Sequence, residues 1–213
     1  DASWQGLQLR TVGPTRVAFA NGVTVDRLQV ASGGATLDVR GRLSPVLDAT
    51  IVANGLTPAL AAPFVPAAAR IDGTLQLHAR LTGAAATPSG TARIAVTGLH
   101  ARQGPASALP PANASSDITL NGRTAEIQAH LGVGPNTRVA AAGQVPLAAG
   151  GPINVGVTGT INVGLANPIL ATDGREARGI ISLDSHVTGS TAHPIATGSV
   201  SIRGGEFQDV VQG

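Results

Sequence analysis

The stretch that decides the fold runs from Leu60 to Val96 and reads LAAPFVPAAARIDGTLQLHARLTGAAATPSGTARIAV. It is written a second time, in register, from Leu165 to Ile202 as LANPILATDGREARGIISLDSHVTGSTAHPIATGSVSI. Pro88 in the first copy matches Pro194 in the second at an offset of 106 residues. Self-similarity over a long, fixed period is typical of elongated, stacked architectures and not of a compact enzyme core.

Both copies alternate apolar with other residues, which is the period-two pattern of strands that have two unlike faces. From Gly73 to Thr82 the alternation places leucines and alanine on one face and Gln76, His78 and Arg80 on the other. Only the segments 57–69 and 165–171 have helical character, and both contain proline. We therefore expect an all-β fold: an elongated, curled, antiparallel-rich sheet forming an open, solenoid-like groove, with one or two short helical turns.

The repeat also suggests how the chain is organised. The copies extend upstream, because Gly41 matches Gly143 at an offset of 102 residues. Residues 1–98 are expected to form a first β-groove unit and residues 117–213 a second, joined by a Gly/Pro-rich connecting loop at 99–116. Asp1 is followed by no signal-like segment, so we expect an internal piece of a longer protein.

The composition provides enough apolar residues for a hydrophobic core but few reactive or ligand-binding side chains. Of the 213 residues 43% are hydrophobic, and Cys, Met and Tyr are absent, so the apolar mass is aliphatic. All 14 basic residues are arginines scattered singly, without the basic stripe and interleaved aromatics that phosphate tracking needs. We therefore expect no nucleic-acid partner. The longest apolar run, 58–69, is too short and too interrupted by proline to span a bilayer.

A search for catalytic groups finds none in a recognisable arrangement. Two close carboxylate pairs, Asp173 with Glu176 and Glu206 with Asp209, lie in turn-like contexts typical of a solvated surface. No histidine stands at a metal-ligand spacing, and no nucleophile elbow, phosphate loop or dinucleotide fingerprint is present. We predict a protein that is not an enzyme, with no catalytic, cofactor-binding or metal-binding residue.

What remains is the aliphatic strand face. It has two interpretations: a sandwich core closed against a second sheet, or a trough whose lining stays open to acyl chains, for which each buried methylene contributes about 0.8 kcal/mol. In the second interpretation the lining of the lipid groove comprises Leu75, Leu77, Leu81, Ile94, Val96, Ile127, Leu131, Val139, Val155, Val157, Ile181, Leu183, Val187, Val200 and Ile202.

The segment 178–213, RGIISLDSHVTGSTAHPIATGSVSIRGGEFQDVVQG, resembles the C-terminal repeats of the TamB family, the inner-membrane subunits of the translocation and assembly module. The family pattern is similar to G-x-L-x-L-x-x-x-V-x-G-T-x-x-x-P-x-x-x-G-x-V-x-L-x-G-G-x-F. The chain meets it at Gly179, Leu183, Val187, Gly189, Pro194, Gly198, Val200, Gly204, Gly205 and Phe207, with Ile181, Ser190 and Ile202 as near matches. Residues 70–96 meet it more loosely, and AsmA-like relatives share the architecture.

The resemblance implies a β-taco in the periplasm, anchored to the bacterial inner membrane in the full-length protein by a segment that this fragment lacks. Its partners would be phospholipid acyl chains and an outer-membrane TamA-like barrel. The function implied is phospholipid transport between inner and outer membrane, together with assembly of outer-membrane proteins and autotransporters. No catalytic residue carries over from the family.

Two other classes stay open. An extracellular β-repeat module, such as an adhesin or autotransporter passenger without lipid transport, predicts a closed solenoid with a dry, packed interior. An enzyme built on a β-solenoid requires clustered carboxylates in a cleft, which the alternation does not offer.

Overall fold

The computed structural model describes residues 2–4, 7–19, 22–61 and 70–209 of the chain. Within these residues the β-branched, period-two segments form fourteen strands. The first seven are β1 (Ala2–Trp4), β2 (Leu7–Thr11), β3 (Val17–Ala18), β4 (Thr24–Ser32), β5 (Ala35–Arg42), β6 (Val46–Leu56) and β7 (Ile71–Ala84). The next seven are β8 (Thr87–Ala101), β9 (Ala112–Asn121), β10 (Thr124–Val133), β11 (Thr137–Pro146), β12 (Asn154–Asn162), β13 (Arg175–Gly189) and β14 (Pro194–Asp209).

Strand order in the sheet follows chain order. Thirteen strands lie side by side from β1 to β14, and the short β3 pairs with β4 off this path. Every pairing between strands is antiparallel. Because β8 pairs directly with β9, the sheet continues without a break across the segment 99–116 that was expected to be a loop. That segment holds the end of β8, a 3-10 turn at Pro105–Ala108 and the start of β9.

The predicted all-β, antiparallel class is confirmed, but the expected curl is wrong. The sheet is open and uncurled, and it does not bend round into a trough. The reason for the error is physical: alternation along a strand determines which face is apolar, but it does not determine the angle between one strand and the next.

Short helical turns lie at one end of the strands. Besides the turn Pro105–Ala108, they are the 3-10 turns Pro58–Ala61, Val163–Ala166 and Ala171–Asp173, and one α-helical turn, α1 (Asn167–Leu170). The two helical candidates of the sequence coincide with these turns, although residues 62–69 of the first lie outside the described residues. Asn162 caps the second turn, since its side chain accepts a hydrogen bond from the Gly164 amide at 2.9 Å.

The described residues contain no second layer that closes over the sheet. The buried apolar residues are mostly alanines, with one valine: Val25, Ala35, Ala49, Ala53, Ala79, Ala125 and Ala177. No large side chain among the described residues is fully buried. A sandwich core, the first interpretation of the aliphatic face, is therefore not what these residues form.

Four glycines within strands reveal a structural period that is shorter than the internal repeat of the sequence. Gly41, Gly90, Gly143 and Gly198 lie on every third strand (β5, β8, β11 and β14), at intervals of 49, 53 and 55 residues. Each has a positive φ, and a β-carbon at each would overlap a carbonyl oxygen of an adjacent strand. The long repeat therefore contains two units of three strands each.

Candidate apolar binding face

The register of the ladders places the aliphatic residues of successive strands beside one another. In an antiparallel pair the directly opposed residues point to the same face. One such row crosses eight strands from β7 to β14 through Leu75, Val96, Ala114, Leu131, Val139, Gly159, Leu183 and Val200. A single side of the sheet is thus apolar along this whole distance, and we call it the apolar face.

All fifteen residues predicted to line a groove belong to this face. A second row of directly opposed residues lies beside the first on this face. It runs through Leu77, Ile94, Ser116, Ala129, Ala141, Val157, Ser185 and Gly198. Twelve of the fifteen are half-buried by their neighbours, whereas Leu131, Val200 and Ile202 are 41%, 66% and 63% exposed. The register therefore brings the predicted set together on one surface, and its role in binding lipid stays a prediction.

The face is wider than predicted. Register extends it through β4, β5 and β6, and through β9, with Leu28, Val30, Leu37, Val39, Leu47, Ile51, Ile118 and Leu120. The residues of β9 were missed because the prolines and glycine before them indicated a loop through Ser116. The alternation of small and polar residues from Ala112 to Leu120 was the signal that could have found this strand.

Three concavities adjoin one another along the row. The largest, of about 850 Å³, is lined from six successive strands, β8 to β13, and includes Leu131 and Leu183. A second, of about 360 Å³, is lined mainly by apolar-face residues of β8 to β11. A third, of about 540 Å³, lies between the turn Pro58–Ala61 and Leu75 and Leu99. Val96 lines all three, so the concavities form one series.

The opposite face is polar and carries ion pairs between and within strands. Asp38 accepts hydrogen bonds from Arg27 Nε at 2.9 Å and from Arg40 Nε at 3.1 Å, and its side chain is only 12% exposed. Burial opposes ionisation of Asp38, but the hydrogen bonds and charges of the two arginines outweigh burial and lower its pKa. The pair Arg93 and Asp117 is much more exposed, and such pairs add little stability.

The carboxylates considered for catalysis lie mostly on the paired strands β13 and β14, beside arginines, and not in the turns that the sequence indicated. Glu176 pairs with Arg178 at 2.8 Å, and His100 Nε2 lies 3.2 Å from the carbonyl oxygen of Ser107. Across the parts of the chain that the structure describes, no three His, Asp or Glu side chains gather as a metal site would require. None of the helices in those parts is long and apolar enough to cross a membrane.

The arrangement offers a broad hydrophobic surface with few hydrogen-bonding groups of its own. Such a surface suits a ligand that presents methylene groups and no polar atoms to it. Family models, curated proteins and solved structures were each compared with the chain, and none of the three comparisons gives a match.

Proposed function

We propose that this chain is a length of a TamB-like protein whose apolar face carries phospholipid acyl chains between the inner and outer membrane. The observation that supports the proposal is the continuous apolar face of β4 to β14, which no second layer covers among the described residues. A soluble protein rarely leaves so large an apolar surface in water without a partner for it.

The shape of the face suits a chain of methylenes. The three concavities follow one another past Val96, so an extended apolar ligand can contact several of them at once. Each methylene removed from water contributes about 0.8 kcal/mol, so several methylenes together supply useful affinity without any specific polar contact. The headgroup needs no site of its own and stays in solvent.

The test places a charge on the apolar face. Leu183→Arg and Leu77→Arg each introduce a guanidinium where acyl chains would lie, so we expect the purified protein to lose most of the phospholipid it takes up from vesicles. Native mass spectrometry measures the bound lipid. The matched controls are Ser182→Arg and Gln76→Arg, which put the same charge on the polar face of the same strands.

The outcome that contradicts the proposal is equally specific. If the wild type, the apolar-face variants and the polar-face controls all bind the same amount of lipid, the apolar face is not the surface that binds lipid. In cells that carry the full-length protein, loss of outer-membrane integrity with Leu183→Arg but not with Ser182→Arg would extend the result from binding to transport.

The location and protein partner belong to the same proposal. We place the full-length protein in the periplasm, anchored to the inner membrane, with an outer-membrane TamA-like barrel as partner and a role in outer-membrane protein and autotransporter assembly. Subcellular fractionation tests the first point, and crosslinking from photoreactive residues in the sheet tests the second. Crosslinks to no outer-membrane protein would contradict the partner.

The alternative, an extracellular adhesin or passenger module without lipid transport, expects a closed and packed interior. The described residues form an open sheet without a fully buried large side chain, so no observation favours that alternative. A protein that binds no lipid and yet mediates adhesion would reinstate it.

A further inference from the structure

The two ends of the strands border the apolar face in different ways. At one end the connections between strands contain the helical turns, among them Pro58–Ala61, Pro105–Ala108 and Val163–Ala166. At the other end β7 is joined to β8, and β9 to β10, by only two residues each, 85–86 and 122–123. We call these two ends the turn margin and the hairpin margin. A ligand with one apolar end and one charged end therefore meets two unlike borders on this face.

The turn margin contains an apolar recess. It is the concavity of about 540 Å³ between the turn Pro58–Ala61 and Leu99. Of the residues that line it, only Thr57 and Thr74 have polar side chains, and the Thr74 hydroxyl is hydrogen-bonded to that of Thr97 at 2.8 Å. A charged headgroup placed there would lose its hydration and gain few hydrogen bonds, which is costly. The recess therefore favours the methyl ends of acyl chains.

The hairpin margin carries an arginine that can meet an anion. Arg123 lies in the connection between β9 and β10, three residues after Leu120 of the apolar face. It is exposed and forms no ion pair with any residue that the structure describes. At the turn margin, by contrast, Arg102 is paired with Asp72. The unpaired guanidinium therefore favours a phosphate at the hairpin margin.

The distance between the hairpin margin and the concavities fits an acyl chain. Leu120 and Ala114 are six residues apart on β9, which corresponds to about 20 Å because an antiparallel strand rises ~3.4 Å per residue. The hydrocarbon of one membrane leaflet is about 15 Å deep, half of the bilayer core. A chain that begins at Leu120 and runs parallel to β9 thus reaches the concavity of about 360 Å³, which Ala114 and Ser116 line. Val96 connects that concavity to the recess at the turn margin.

We propose that a phospholipid lies on the apolar face with its acyl chains parallel to the strands and pointing to the turn margin, and with its phosphate in solvent beside Arg123. This orientation rests on the proposed function, because it concerns the same ligand on the same face, and it adds a direction. Since the strands lie side by side in chain order, successive lipids can lie next to one another along the sheet. Their headgroups then follow one margin, as they do in one leaflet of a membrane.

The first experiment measures the direction of the acyl chains. In a Trp4→Phe background, Leu131→Trp places an indole opposite Ala114 beside the concavities, and Leu120→Trp places one at the hairpin margin. The protein is loaded with phosphatidylglycerol that carries bromine near either the methyl end or the carboxyl end of its chains. We expect methyl-end bromine to quench Leu131→Trp more strongly, and carboxyl-end bromine to quench Leu120→Trp more strongly.

The other outcomes separate the orientation from the proposed function. Equal quenching by the two lipids at both positions, or the reverse order, would overturn the orientation and leave lipid binding by the apolar face standing. An absence of quenching at both positions with both lipids would contradict the orientation and the proposed function together.

The second experiment tests the position of the phosphate. Arg123→Gln removes the charge, and we expect about two- to fivefold weaker binding of phosphatidylglycerol, as is usual for an exposed charge pair. Diacylglycerol has no phosphate, so its binding should be the same in the wild type and the variant. Arg138→Gln is the control, because Arg138 is exposed on the polar face of β11. Unchanged binding by Arg123→Gln, or equal weakening in both variants, would refute the contact with Arg123.

Discussion

A β-carbon on Gly90 would overlap the carbonyl oxygen of Arg80 across the β7–β8 ladder. The φ of Gly90 is +142°, a region that residues with side chains rarely adopt. We therefore expect Gly90→Ala to lower the free energy of unfolding by at least about 1–3 kcal/mol, the usual range for such strain alone. Urea unfolding measures the change. Gly132→Ala is the control, because its nearest atom, the carbonyl oxygen of Thr137, is 3.9 Å away, and its stability should be near that of the wild type.

Asp38 makes stability depend on pH in acid. Its folded-state pKa lies below the ordinary value of 3.8, so its contribution is present above pH 3.8 and is lost as the pH falls through the folded-state pKa. We expect Asp38→Asn to cost about 1 kcal/mol at neutral pH, because half-exposed arginines weaken the pairing. The gap between wild type and variant should close as the pH falls below 3.8. Asp117→Asn, in an exposed pair, should change the free energy of unfolding little. A gap for Asp38→Asn that stays constant with pH would contradict the assignment.

Asn167 anchors the helical turn α1 to the sheet. Its side-chain oxygen accepts a hydrogen bond from the buried amide of Ala177 at 2.8 Å. We expect Asn167→Ala to cost about 1 kcal/mol and to speed hydrogen exchange at the Ala177 amide, which then lacks an acceptor. Asn167→Asp keeps an acceptor oxygen and should restore slow exchange. If the Ala177 amide of Asn167→Ala exchanges as slowly as in the wild type, the amide is protected by something other than this bond.

Tryptophan reports directly on lipid contact. With Trp4, the only tryptophan, replaced in Trp4→Phe, Ala129→Trp places an indole in the 360 Å³ concavity of the apolar face. We expect phospholipids with brominated acyl chains to quench its fluorescence strongly. Gln128→Trp, one residue away on the polar face of β10, should be quenched little. Equal quenching at both positions would mean that lipid does not distinguish the two faces.

The strands were predictable where side chains alternate strongly. The apolar positions of β7, β12 and β13 follow a strict period of two, and register puts them on one face as expected. The same alternation is present in β9 but is weaker there, because its first apolar positions are alanines that follow two prolines. The absence of curl lay beyond the sequence, since strand twist and tilt arise from contacts between neighbouring backbones.

The extent of the candidate site was only partly predictable for a related reason. The large aliphatic residues identify the face, but the concavities owe their depth to residues such as Ala114 and Ala141, which leave space between larger neighbours. The three-strand period is likewise not readable from the sequence alone. It is marked by single glycines such as Gly90, whose role is visible only when the carbonyl group opposite it is in place.

Strand order equal to chain order has a consequence for how the molecule loses structure. Each strand from β5 to β13 is held by its predecessor and its successor in the chain, so stability is close to a sum over adjacent hairpins. Unfolding can start at either end and stop part-way, and an outer hairpin can detach while the interior persists. The length of such a sheet is therefore adjustable: adding or removing a hairpin changes how far the sheet extends and leaves the pairing of the other strands unchanged.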